Sequence, residues 1–134
     1  YVVLGDGEKA EGSNYEAMMA AAHYKLDNLC ATVDLNRLQI SGPTREVMCS
    51  DDLGEKFCSF GWHVIQVEDG NDCGQLAEAY AQASQVKGQP SVVIAHTVKG
   101  KGVSFMEDNK GWHHGVMTPV QYEQAVKELE EVLA

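Results

Sequence analysis

No apolar run in this 134-residue chain approaches the ~20 residues that a membrane-spanning helix needs. No secretory signal pattern opens it. Positive charge is scarce: 10 Lys and Arg stand against 20 Asp and Glu, for a net charge of −10. That balance argues against a nucleic-acid partner, whose affinity comes largely from neutralising phosphates. A phosphate ligand stays compatible with it when a metal accompanies the phosphate. Paired cysteines are missing too. Cys30, Cys49, Cys58 and Cys73 are isolated, with no C-x-x-C among them, which disfavours zinc sites and disulfides. Core thiols are expected instead, at Cys30 in an apolar strand and at Cys58 in a helical pattern. Free thiols point to a reducing compartment, the cytoplasm. The chain also lacks internal repeats and low-complexity linkers.

What is present suits one soluble globular domain at most, with 44% hydrophobic and 22% charged residues. Strand and helix patterns alternate. Apolar runs at Tyr1–Leu4, Leu29–Leu35, Trp62–Val67 and Ser91–Ala95 read as strands. Helices are predicted over Ser13–Leu26, with Tyr15, Met18, Met19, Ala22 and Leu26 at helical spacing, and from a cap at Asp51 or Asp52 to Phe60. Another, striped by Leu76, Ala79, Tyr80 and Ala83, follows the turn Glu68–Asp72 and ends at Lys87-Gly88. A last one follows Thr118-Pro119 with the stripe Tyr122, Val126, Leu129 and Leu133. Gln39–Ser50 and the glycine-bearing His96–Gly115 segment read as irregular. This order implies an α/β fold, a parallel sheet sandwiched by helices with right-handed crossovers. A chain that opens directly on an apolar strand at Tyr1 is expected to have sequence upstream of it, whose strands would cover the free sheet edge.

In such folds ligands bind outside the carboxyl ends of the strands. There the first strand delivers Gly5-Asp6-Gly7 and the second delivers Asp34-Leu35-Asn36. If the two strands are parallel neighbours, Asp6 and Asn36 emerge side by side, two hard oxygen donors beside glycine N–H groups. That is a place for Mg²⁺ or Ca²⁺ carrying a phosphate. Gly5-Asp6-Gly7-Glu8-Lys9-Ala10 also fits the dinucleotide fingerprint G-x-G-x-x-A. Electrostatics count against that rival, because Asp6, Glu8 and Glu11 would crowd a bare pyrophosphate with negative charge. A divalent cation reverses the sign of the argument. Asp69-x-Asn71 lacks the oxygen ligands a calcium loop needs at Cys73 and Tyr80, so it reads as a turn with a helix cap. His23 and His63 read as structural. His96, at a strand's carboxyl end, and the His113-His114 pair in a glycine-flanked loop are candidates to reach a ligand. Lys99 and Lys101 read as surface lysines that could serve an anion.

The pattern Gly5-Asp6-Gly7 … Asn36 resembles the thiamine diphosphate motif of the transketolase family. Glu11-Gly12, Lys25–Leu29, Asp69-Gly70, Lys99–Phe105 and Trp112-His113-His114-Gly115 look like further family segments, in the family's order. The likeness runs over nearly the whole chain and is to the second half of the separate N-terminal subunit of a split transketolase. It implies that residues 1–134 are part of one diphosphate-binding domain. It implies that Asp6 and Asn36 bind Mg²⁺ by side chain and Leu38 by its carbonyl, with Ca²⁺ as a substitute. Gly7 and Asn36 would touch the diphosphate, His114 the cofactor and the sugar, and Glu11 would support the cofactor site near a subunit contact. The implied reaction transfers a two-carbon ketol unit from a ketose phosphate to an aldose phosphate, in the pentose phosphate pathway. The partner would be a C-terminal subunit bearing the pyrimidine-binding domain and the glutamate that activates the cofactor, in a heterotetramer or dimer of heterodimers. Leu35, Asn71 and the doubled His113-His114 depart from the family pattern. Alternatives from the residues are a related thiamine enzyme, 1-deoxyxylulose-5-phosphate synthase, against which Trp112–Gly115 counts; a nicotinamide-binding oxidoreductase domain; and a non-catalytic subunit that only associates with a partner.

Overall fold

A computed structural model describes residues 1–48 and 52–133. Strand β1 spans Val2–Gly5, helix α1 Gly12–His23 and strand β2 Cys30–Leu35. A two-residue hairpin follows, β3 Leu38–Gln39 and β4 Gly42–Pro43, then a short helix α2, Thr44–Val47. Next come α3 Leu53–Ser59, β5 His63–Val67, α4 Cys73–Gln85, β6 Ser91–His96 and α5 Pro119–Leu133. The main sheet is fully parallel in the order β1-β2-β6-β5, with Gly5 opposite Asp34 and Asp34 opposite Ala95. The parallel neighbourhood of β1 and β2, on which the paired oxygen donors depend, is therefore observed.

Crossover handedness fixes which face each helix takes. From β1 to β2 and from β2 to β5 the chain moves the same way across the sheet, and α1 and α3 share one face. From β5 to β6 it moves back, so the same right-handed rule sends α4 to the opposite face. Under α1 and α3 lie Met18, Ala21, Val33, Phe57, Trp62, Val92 and Ile94, with the Trp62 indole N–H donating to the Met18 carbonyl at 3.0 Å. Under α4 lie Cys30, Ile65, Val67, Ala79, Ala83 and Val93.

Several boundaries differ from the sequence reading. The Ser13–Leu26 helix stops at His23, because Lys25 turns left-handed (φ 52°) and the N–H groups of Lys25 and Leu26 close on the carbonyls of Ala22 and Ala21. That is the bonding of a Schellman cap without its usual glycine. Of the α1 stripe, Met18 is buried but Met19 is 51% exposed. The stretch read as irregular from Gln39 onward holds the hairpin and α2. Asp52 caps α3 by accepting from the Glu55 amide at 2.9 Å. The alternative cap Asp51, like Cys49, lies outside the described residues. Cys30 is buried as expected, whereas Cys58 and Cys73 are exposed, Cys58 falling on the outer side of the short α3. On α5 the expected stripe does not bury: Tyr122 is 61% exposed and Leu129 45%. The helix instead seats Ala125, next to buried Val103 in the segment before it. Thr118 and Gln121 cap it reciprocally, the Gln121 carbonyl oxygen accepting from Thr118 N–H at 3.0 Å.

Candidate functional site

The site begins with two strand ends that leave the sheet together. The Asp6 N–H continues the β1–β2 ladder onto the Asp34 carbonyl at 3.2 Å. The Asp6 carboxylate then accepts the Arg37 amide N–H from beyond the end of β2. Arg37 is left-handed (φ 64°) without being glycine, and this reverses the chain after Asn36. As a result Asn36 Oδ1 accepts the Leu38 N–H at 3.0 Å. Asp6 and Asn36 are both buried, and these bonds bring Asp6, Asn36 and Leu38 to one corner of the carboxyl rim. Gly7 faces the hairpin: a Cβ there would lie 2.5 Å from the Gln39 side-chain oxygen.

Burial pushes the Asp6 carboxyl above the usual carboxylate range. The Arg37 and Gly7 amides oppose that shift, the charge on Asp34 adds to it, and Lys99 opposes it. A buried, ionised carboxylate with so few donors favours a cation beside it. Among the described residues no group of three or more His, Cys, Asp and Glu is placed to hold a metal. The donors on hand are one carboxylate, one amide whose oxygen keeps a second lone pair, and main-chain carbonyls. Such a set suits a hard divalent cation that takes its other ligands from phosphate and water.

The long segment after β6 is ordered around this corner. Gly70 N–H donates to the His96 carbonyl at 2.7 Å, and a Cβ at Gly70 would meet Ala95 and Thr97 at 2.8 and 2.7 Å. Val98 N–H donates to the Asn71 side chain at 2.8 Å, while the Thr97 hydroxyl donates to the Asp34 carboxylate. Further on, Lys110–His113 forms a 3₁₀ turn that packs against β3, with Lys110 Nζ donating to the Ser41 carbonyl at 3.3 Å. Trp112 fixes that turn, its indole N–H on the Phe105 carbonyl at 2.9 Å and its ring 5.3 Å from Phe105. The segment therefore folds back and packs. His113 and His114 follow, both exposed, with their rings 4.8 Å apart edge to face.

A family model described as "Transketolase, thiamine diphosphate binding domain" matches residues 1–132. The chain belongs to the transketolase family, in its thiamine diphosphate-binding domain. It is 48% identical over 131 residues to one subunit of the apulose-4-phosphate transketolase of Phocaeicola vulgatus, covering 98% of this chain and 46% of that protein. It is 40% identical to the 6-deoxy-6-sulfo-D-fructose transketolase subunit SqwG of a Clostridium species, covering 98% of this chain and 47% of that one. The chain thus spans just under half the length of these split-subunit relatives. Among solved structures, the transketolase of Campylobacter jejuni superposes with a TM-score of 0.79 at 29% identity, covering 96% of this chain and 19% of the other.

With the family settled, the departures acquire reasons. Asn71, where transketolases commonly carry His, supplies the acceptor for Val98 N–H, a task either side chain can perform. Leu35 packs against the core under α1 and α3, so the varied middle residue of Asp34-Leu35-Asn36 faces away from the rim. Asp72 caps α4 through Gly74 N–H at 2.7 Å, as expected of that turn. His23 is exposed on α1; His63 lies in β5 with its Nε2 buried; His96 pairs with Gln66 at 3.2 Å. Glu11 sits exposed at the start of α1. No helix among the described residues is long and apolar enough to cross a membrane.

Several residues at the site escape a reading of the sequence. Arg37 acts through its backbone, which its identity does not announce. Lys99, read as a surface lysine, is close enough for its charge to act on Asp6. Thr97 and Asp34 meet across strands. Lys9, of a residue type that ordinarily stays at the surface, is fully buried, with Nζ unpartnered 5.8 Å from the centre of the Phe57 ring. Burial lowers its pKa to about 8, against opposing pulls from Glu8 and Glu11. Only the alternation along β2, which puts Thr32 and Asp34 on one face, hints at the Thr97 contact.

Proposed function

We propose that this chain is part of one diphosphate-binding domain in the N-terminal subunit of a split transketolase. The observation that carries the reading is the Asp6–Arg37 hydrogen bond, which ties the two oxygen donors into one corner. Asp6 and Asn36 hold Mg²⁺ by side chain and Leu38 by its carbonyl; Ca²⁺ substitutes. Gly7 N–H, unobstructed by a side chain, and Asn36 contact the diphosphate, and Lys99 adds positive charge nearby. Bound thiamine diphosphate supplies the carbanion chemistry of ketol transfer. The chain's residues do the rest of what falls to this half: they neutralise and orient the diphosphate and keep its corner dry. His114 reaches the cofactor and the sugar oxygen once a partner narrows the space above the rim.

The reaction is transfer of a two-carbon ketol unit between a ketose phosphate and an aldose phosphate, as in the pentose phosphate pathway, in the cytoplasm. The pyrimidine end of the cofactor is bound by a C-terminal partner subunit, giving a heterotetramer or dimer of heterodimers. That relatives are named as subunits of transketolases supports the partner requirement. Calorimetry on the full-length subunit in complex with its partner tests the reading. Thiamine diphosphate binding should require Mg²⁺, vanish with EDTA and vanish in Asp6→Ala and Asn36→Ala. Metal-independent NAD binding would overturn it.

A further inference from the structure

The strand register puts a second acid beside the first. Gly5 pairs with Asp34, Asp6 N–H donates to the Asp34 carbonyl, and the charge on Asp34 is felt at the Asp6 carboxyl. Two carboxylates at one rim corner would make a different site from one carboxylate and one amide. They would favour bare Ca²⁺, which accepts many oxygen ligands, and repel an incoming diphosphate. Asp34 is not left to choose, because the Thr97 hydroxyl holds its Oδ1. Thr97 is itself held. Gly70 N–H bonds the preceding carbonyl, that of His96, at 2.7 Å, and the Asn71 side chain accepts the following amide, that of Val98, at 2.8 Å. No bulkier residue at 70 would let the turn approach Ala95 and Thr97 so closely.

We propose that Thr97 is a positioning residue that keeps the Asp34 carboxylate out of the cation site, so that the corner stays a one-carboxylate, diphosphate-accepting anchor. The inference rests on the metal–diphosphate reading above. A merely structural role for the hydroxyl, tying β6 to β2, would change stability but not which cation or anion the corner prefers.

The test is calorimetry on the full-length subunit in complex with its partner, first with CaCl₂ or MgCl₂ alone and then with thiamine diphosphate at saturating MgCl₂. If the unaltered protein binds no Mg²⁺-dependent cofactor, the parent reading fails. If it binds, Thr97→Val should raise the affinity for Ca²⁺ alone and lower the affinity for the cofactor, each by about tenfold, the lower end of what residues orienting metal ligands control. Thr97→Ser, which keeps the hydroxyl, should restore both values, and Asp34→Asn added to Thr97→Val should remove the gain in Ca²⁺ affinity. Unchanged affinities in a folded Thr97→Val protein, or a Ca²⁺ gain that persists with Asp34→Asn, would overturn the proposal. Should Thr97→Val fail to fold, Thr97→Ala carries the same expectations.

Discussion

The carboxylate of Asp6 accepts a hydrogen bond from the main chain of Arg37, a residue 31 positions later, whose own backbone is left-handed. One bond thus joins the end of the first strand to the turn beyond the second. The geometry of that turn, rather than the Arg side chain, delivers the donor. The conformation costs about 1 kcal/mol in a residue with a Cβ. Arg37→Gly should therefore be tolerated or mildly stabilising, by up to about 1 kcal/mol in chemical denaturation, with cofactor affinity nearly unchanged. A large loss of affinity would show that the guanidinium itself matters.

Asp6 illustrates a site held at a cost in stability. Burial raises its folded-state pKa above the ordinary carboxylate value. The folded protein therefore binds the proton more tightly than the unfolded chain, and stability falls as pH rises through that window. At neutral pH the ionised carboxylate is destabilising until a cation offsets it. Asp6→Asn should raise the Tm of the metal-free protein by about 2–5 °C while abolishing Mg²⁺-dependent cofactor binding. Differential scanning calorimetry with and without MgCl₂ reads both effects.

Lys9 makes the opposite pH signature. Its folded-state pKa is about 8 against an ordinary 10.5. Below pH 8 the ammonium is charged in both states and its burial is opposed. Between the two values the folded protein sheds a proton that the unfolded chain keeps, so stability rises with pH and levels off above the higher value. Lys9→Met should stabilise the protein at pH 7, by up to about 3 kcal/mol, and flatten the pH dependence relative to the parent. Urea denaturation at pH 7 and pH 9.5 makes the comparison.

Gly100 closes a tight turn in the loop that carries Lys99. Its φ is +75°, and a Cβ would sit 2.6 Å from the Met106 carbonyl oxygen. Gly100→Ala thus combines backbone strain with a clash against main chain and should cost about 2 kcal/mol or more. Because the loop packs through Phe105 and Trp112, hydrogen exchange should accelerate across residues 97–115 while the sheet stays protected.

Strand order, parallel pairing and the emergence of Asp6 beside Asn36 were legible because β1 and β2 read as unbroken apolar runs and a single helix joins them. The hairpin at Leu38–Pro43 was not, since two-residue strands carry no periodicity. The α5 stripe misled for a physical reason. Amphipathic spacing reports that a helix has an apolar face, not that this chain supplies its cover. Cys58 misled similarly, since on a seven-residue helix one position decides between core and solvent. Lys9 was invisible because Lys buries in so few proteins that composition predicts the surface. Thr97 and Arg37 depend on tertiary hydrogen bonds and backbone handedness, which no short-range pattern encodes.

Every donor proposed for the cation lies between Asp6 and Leu38, within one β1–α1–β2 unit closed by a single crossover. Contacts of such short sequence separation form with little loop-closure entropy, whereas the His114 turn must wait for β6 and the long segment after it. The anchor corner is thus a candidate folding nucleus, and a divalent cation bound there would act on the rate of folding as well as on its equilibrium.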